Sequence, residues 1–178
     1  MHTNIVLTLT GTDRTGIVEE ITKSLLDLGG NVETSRMARL GGEFAVLMLV
    51  SLPEEELERL DKNLMTLINQ GFKVTAKRTV QTYADVHAGW LSYKIEVSGA
   101  DHEGIIHEIA HTLSRLGINI ESMDTTTTPA PNSGAPLFSM SALVVIPPKL
   151  SIKQLKAALK DAGLHLQVEI KVSQAPRQ

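Results

Sequence analysis

Cysteine is absent from this 178-residue chain. That removes disulfides, thiolate nucleophiles and cysteine-ligated zinc, and it leaves the redox compartment open. Aromatic residues make up only 3% and the formal net charge is −3, so neither the stacking platform nor the basic patch of a typical nucleic-acid binder is visible. Long hydrophobic runs are missing as well: the longest, residues 44–50, is far too short to cross a bilayer. Met1-His2-Thr3-Asn4 leads straight into a strand-like alternation without a charged leader and apolar core, so a soluble cytoplasmic protein is expected. What is present is ordinary globular material, 42% hydrophobic and 21% charged, sufficient to bury a core.

The main organising feature is an internal repeat. The stretch GTDRTGIVEEITKSLLDLGGNVE (11–33) aligns without a gap on GADHEGIIHEIAHTLSRLGINIE (99–121), displaced by 88 positions. Gly11/Gly99, Asp13/Asp101, Gly16/Gly104, Glu20/Glu108, Gly29/Gly117, Asn31/Asn119 and Glu33/Glu121 coincide. Two copies of one unit is the economical reading. Ile17, Ile21, Leu25 and Leu28, with Ile105, Ile109, Leu113 and Leu116, recur three or four residues apart, the period of one helical face. Strand-like runs cover 4–10, 31–40, 43–51 and 72–82, then 90–98, 119–127, 137–146 and 166–172.

A second helix precedes the last strand of each half. Leu57, Leu60, Leu64 and Leu67 mark one, with Ser51 and Glu54 spaced as a capping box and Pro53 in the first turn. Ile152, Leu155 and Leu159 mark the other, with Ser151 and Gln154 at the same spacing. Each half therefore reads β-α-β-β-α-β, an α+β ferredoxin-like sandwich with an antiparallel four-stranded sheet and both helices on one face. The expected division is 1–83 and 90–178 with a linker at 84–89. The uncovered sheet faces and edges predict association, either between the halves or in a homodimer.

In each copy the loop between the first strand and the first helix carries the chemistry. The first backbone N–H groups of a helix lack intrahelical partners and attract anions, and Gly16 and Gly104 keep side chains away from them. Asp13 and Asp101 are candidates both for capping the helix and for pairing with an ammonium. Asn31 and Asn119 follow Gly29 and Gly117, where helix gives way to strand. Their amides match a ligand bearing both carboxylate and ammonium, and equally serve to shape a turn after left-handed glycines. A small zwitterion such as a free amino acid suits this set.

The G-x-D-x-x-G-I/V … L-G-x-N-I/V pattern resembles the ACT domain, a regulatory β-α-β-β-α-β module whose relatives bind amino acids. As two tandem copies spanning nearly the whole chain, with NVETSRMARLGGEFAVLMLV and KVTAKRT, it is most similar to the glycine cleavage system transcriptional repressor group. The resemblance implies a non-enzymatic regulator without catalytic residues, metal or cofactor. It would sense a small amino acid, glycine or serine among them, and contact a transcription factor or other regulatory protein rather than nucleic acid or membrane. Carried over by position, the ligand residues are Asp13, Arg14, Thr15, Gly16, Ile17 and Asn31, then Asp101, His102, Gly104, Ile105 and Asn119. Where the family often has proline before the second glycine, this chain has Thr15 and Glu103. Glu103 sets negative charge beside a carboxylate pocket, which makes the first copy the better candidate.

Two other classes compete. HEIAH (107–111) satisfies H-E-x-x-H, the spacing of a zinc hydrolase. Its histidines align with Glu19 and Lys23 on the solvent side of the equivalent helix, and no third ligand follows in a suitable signature. A ferredoxin-like RNA-binding module would need strand aromatics that the chain lacks. The threonines at 125–128 suit a strand.

Overall fold

The computed structural model describes residues 1–79 and 87–175. The chain divides into two compact units, Met1–Thr82 and Tyr83–Gln178. In the first, β1 (His2–Thr12), α1 (Ile17–Leu26), β2 (Asn31–Leu40) and β3 (Glu43–Pro53) are followed by a 3-10 turn at Glu54–Glu56, α2 (Leu57–Asn69) and β4 (Lys73–Arg78). The second repeats the order: β5 (Leu91–Ala100), α3 (Ile105–Arg115), β6 (Asn119–Pro129), β7 (Pro136–Ile146), α4 (Ile152–Leu166) and β8 (Val168–Gln174). The sheets are antiparallel with orders β2-β3-β1-β4 and β6-β7-β5-β8. In each, a β-α-β crossover leaves room for one strand between its two parallel members, and the third strand of the unit fills it.

Alternation decides which face is covered. Ile5, Leu7 and Leu9 of β1 and Val46, Met48 and Val50 of β3 are buried beneath Ile17, Ile21 and Leu25 of α1 and Leu60, Leu64 and Leu67 of α2. In the second unit Ile95 and Val97 take the same place under Ile105, Ile109, Leu113, Leu155 and Leu159. Burying each such side chain contributes about 1.5–3 kcal/mol. Among the described residues no buried side chain is polar or charged, and no helix is long and apolar enough to cross a membrane.

Three expectations need correction. The Ser51/Glu54 capping box does not form: β3 runs on to Pro53, and α2 starts only after the 3-10 turn, with Glu56 at its N-cap and no side-chain cap. Pairing of β3 with β1 as far as His2↔Pro53 holds Ser51 extended within the ladder. The Ser151/Gln154 box does form, because no strand claims Ser151. Second, the strand expected from 166 starts at Val168, Leu166 being the last residue of α4 and Gln167 its left-handed cap (φ 55°). Third, β4 ends at Arg78; residues 80–82 of the expected strand, and 84–86 of the expected linker, lie outside the described residues.

Gly11 and Gly99 have a packing role that the repeat alone does not reveal. A Cβ on Gly11 would lie within bonding-clash distance of Cδ1 of the buried Phe72 ring, and one on Gly99 would stand 2.8 Å from Val168 Cγ1. Each glycine thus admits the residue that leads into, or begins, the unit's last strand. Gly11→Ala should destabilise the protein by about 1–3 kcal/mol through overpacking, read as a lower urea midpoint with an unchanged slope.

Candidate functional site

The turns before α1 and α3 have the same geometry. Gly16 and Gly104 are the N-caps, both at φ 92° and ψ −8°, and neither helix has a side-chain cap. A left-handed N-cap favours glycine strongly. The space a side chain would occupy is open at both positions, with no atom within 4 Å of an added Cβ. The first amides of each helix therefore face solvent with the positive end of the helix dipole behind them. Ile17 and Ile105 are buried, so only their backbone N–H groups belong to this surface.

Asp13 and Asp101 do not cap. Their backbone N–H groups donate to Gly42 O (2.9 Å) and Pro136 O (3.0 Å), carbonyls of the β2–β3 turn and the start of β7. The Asp13 carboxylate lies 3.8 Å from Arg39 Nε, and the Asp101 carboxylate accepts a hydrogen bond from Thr127 Oγ1 at 3.2 Å. Both aspartates thus tie the loop to the neighbouring hairpin.

Arg14 and His102 tie its other side. Arg14 donates to both oxygens of Glu20 (2.9 and 2.6 Å) and to Gln70 Oε1 (2.6 Å), with its guanidinium 5.3 Å from the centroid of Phe72. The Glu20 hydrogen bond raises the Arg14 pKa, and in return the Arg14 hydrogen bond lowers that of Glu20. In the second unit His102 Nε2 lies 2.8 Å from Leu166 O and Nδ1 3.0 Å from Glu103 O. Both partners are carbonyl acceptors, so the doubly protonated imidazolium satisfies them together. Its pKa is raised by the Leu166 bond first, then by that to Glu103, with a smaller contribution from Asp101. In both units a basic side chain thereby clamps the loop to the C-terminal end of the second helix, where the dipole favours positive charge.

The asparagines stand elsewhere. Asn31 pairs with Ser51, which pairs with Asn4, so Asn31 is level with the start of β1 while the glycine turn follows its end. The seven steps of strand from Asn4 to Gly11 span roughly 24 Å. The row Asn31–Ser51–Asn4 also lies on the helix-free face, since the adjoining row Val32–Val50–Ile5 points into the core. Asn119, opposite Val145 and in line with Ser92, repeats this placement. Within one unit the structure brings together Asp13, Arg14, Thr15, Gly16 and Ile17, or Asp101, His102, Gly104 and Ile105, but not the asparagine. Sequence reading missed Arg39, Gln70, Phe72, Thr127 and Leu166, which no local spacing connects to the loop.

His107 and His111 are exposed and stack with ring centroids 6.2 Å apart. No third His, Asp or Glu joins them in a metal-holding group among the described residues.

Residues 3–76 match the ACT domain family. A solved structure of an unknown protein from Galdieria sulphuraria is 31% identical, covers 99% of this chain and all of its own, and superposes with a TM-score of 0.88. The chain belongs to the ACT-domain family. This tandem ACT protein is also 27% identical over 157 residues to the glycine cleavage system transcriptional repressor of Escherichia coli, covering 88% of this chain and 82% of that one. A structure provisionally named for the same repressor shares the fold over 99% of each chain, with a TM-score of 0.72 at 22% identity.

The His102 clamp sets a pH dependence. A folded-state pKa raised above the ordinary imidazole value of about 6.5 means that the stabilisation is complete below that value. It is then lost as pH rises through the folded-state pKa. An NMR titration should place His102 above the ordinary imidazole value. Thermal unfolding should show the difference between wild type and His102→Gln shrinking or reversing between pH 5.5 and pH 8.5.

Proposed function

We propose that this tandem ACT protein is a cytoplasmic, non-enzymatic regulator. In this reading it senses a small amino acid at the turn before α1 and passes occupancy to a transcription factor or similar regulatory protein through protein contacts. The domains act as two modules, 1–83 and 90–178, joined at 84–89. The observation that carries the reading is the pair of uncapped helix N-termini at Gly16 and Gly104, with matching left-handed glycines and open space in front. Such a surface holds a carboxylate on backbone amides. Clamping by Asp13 and Arg14 leaves those amides pre-organised, which lowers the ordering cost of binding.

The ligand's ammonium needs a separate partner, because Asn31 of the same unit is out of reach. A homodimer that brings the asparagine of a second copy to the turn supplies it. Similarity to a repressor of the glycine cleavage system makes glycine the first ligand to test and serine the second. Glu103, exposed beside the second turn, opposes an incoming carboxylate and favours the first turn.

Calorimetry on the full chain with glycine and serine should show binding to wild type. Gly16→Val should lose at least tenfold in affinity, with Asn31→Ala losing less and only where the protein is dimeric. Because valine at φ 92° strains the backbone, circular dichroism must show each variant folded. A folded wild type whose unfolding temperature moves with none of the twenty amino acids at millimolar concentration would remove the sensing reading.

A further inference from the structure

Helix α4 carries Lys153, Lys156 and Lys160 three and four residues apart, a stripe of like charge. Lys23 and Arg59 on the other helices each find a carboxylate, at 3.1 and 2.7 Å. Among the described residues Lys156 and Lys160 pair with none. The stripe continues into Leu164, an apolar side chain left 70% exposed. Beside it runs a groove of about 470 Å³ between α4 and β8, floored by Leu159, Val168, Ile170 and Val172. Among the described residues no carboxylate and no aromatic ring lines it. Gly163 holds the helix hard against the strand, since a Cβ there would stand 3.0 Å from the Val168 carbonyl oxygen.

The strand beneath is an outer one. Among the described residues β8 is bonded to β5 alone in its sheet, which leaves alternate N–H and C=O groups on its other side for a further strand. An apolar floor, a cationic wall and a free strand edge in one place call for an extended partner with both acidic and apolar side chains. We propose that this groove docks an acidic peptide in extended conformation, added as a fifth strand on β8.

The spacing specifies the pattern. Lys156, Lys160 and Leu164 succeed one another at about 6 Å along the helix. Same-face residues of a strand succeed one another at about 6.8 Å. A segment reading Glu-x-Glu-x-Leu on one face, in one chain direction or the other, sets a carboxylate against each lysine and an apolar side chain against Leu164. Main-chain pairing supplies affinity and the side chains supply selectivity. The incoming carboxylates also relieve the repulsion between Lys156 and Lys160. A nucleic-acid backbone would meet the lysines but leave the apolar floor unused. None of these residues belongs to the glycine turn, so the surface stands or falls apart from amino-acid sensing.

The test uses the full chain without added amino acid and two fluorescein-labelled heptapeptides, Thr-Glu-Thr-Glu-Thr-Leu-Thr and the same residues in reverse order. Fluorescence anisotropy should show saturable binding of one of them. Affinity should fall at least tenfold for Lys156→Glu/Lys160→Glu and for Leu164→Asp, all exposed positions whose variants should unfold at temperatures close to wild type. Proline in place of the central residues of the peptide should abolish binding. Equal binding of a lysine-for-glutamate peptide, undiminished binding by the double variant, binding of oligothymidylate in place of the peptides, or no binding of either peptide would each overturn the proposal.

Discussion

Each unit rests on burying both helices against a single face of a four-stranded sheet. One-sided burial forces a period of two on the strands, so Ile5, Leu7 and Leu9 point one way while Val6, Thr8 and Thr10 point the other. It also forces a period near 3.6 on the helices, whose apolar stripes have nowhere else to go. Because the crossover from β1 through α1 to β2 must return over that face, the glycine turn is delivered to one end of the sheet and the asparagine to the other. The geometry of the candidate site is thus a consequence of how the core is filled.

The two loops show the same mechanical solution made with different chemistry. In each, an aspartate fastens the loop to a hairpin and a basic side chain fastens it to the end of the second helix. Arg14 does so through its hydrogen bond to the Gln70 side-chain amide, and its ion pair with Glu20 of α1, which persists while that carboxylate is ionised, holds it in place. Its lowered carboxylate pKa means that this stabilisation is present above the ordinary carboxylate range and lost as pH falls through the folded-state value. His102 does so through backbone carbonyls, which require its proton and give way as pH rises. Opposite pH responses therefore follow from one substitution within the repeat.

The copies differ most where the core makes no demand. The helix-free face of the first sheet presents Val6, Leu47 and Leu49 beside Arg36 and Lys77. The second presents Ser98, Ser139 and Ser141 with Lys94 paired to Glu96 at 2.7 Å and Lys171 paired to Glu169 at 3.3 Å. Lys94, nearest in effect, and then Lys171 hold the Glu96 carboxyl below its usual range. A shared core with unlike outer faces fits two modules that keep one fold and meet different surroundings.

By itself the sequence determined the duplicated β-α-β-β-α-β order, the inward stripes of all four helices and the glycine turns. Each of these is written in local periodicity or in a residue without a side chain: Ile17, Ile21 and Leu25 declare a helix face, and Gly16 and Gly104 declare a bare turn over the first helical amides, whose left-handed conformation the structure adds. It also set HEIAH on an outer helix face, through the alignment of His107 and His111 with Glu19 and Lys23. Only the tertiary structure decided what the loop residues do. Arg14 meets Gln70 across 56 positions and His102 meets Leu166 across 64, and sheet register, which no local pattern encodes, separates Asn31 from the turn that its residue type had suggested it would serve. Ser51 failed as a cap for the same reason: pairing with Asn4 and Asn31 held it in the ladder, and the energy of a continuous strand outweighed a capping hydrogen bond worth about 1 kcal/mol.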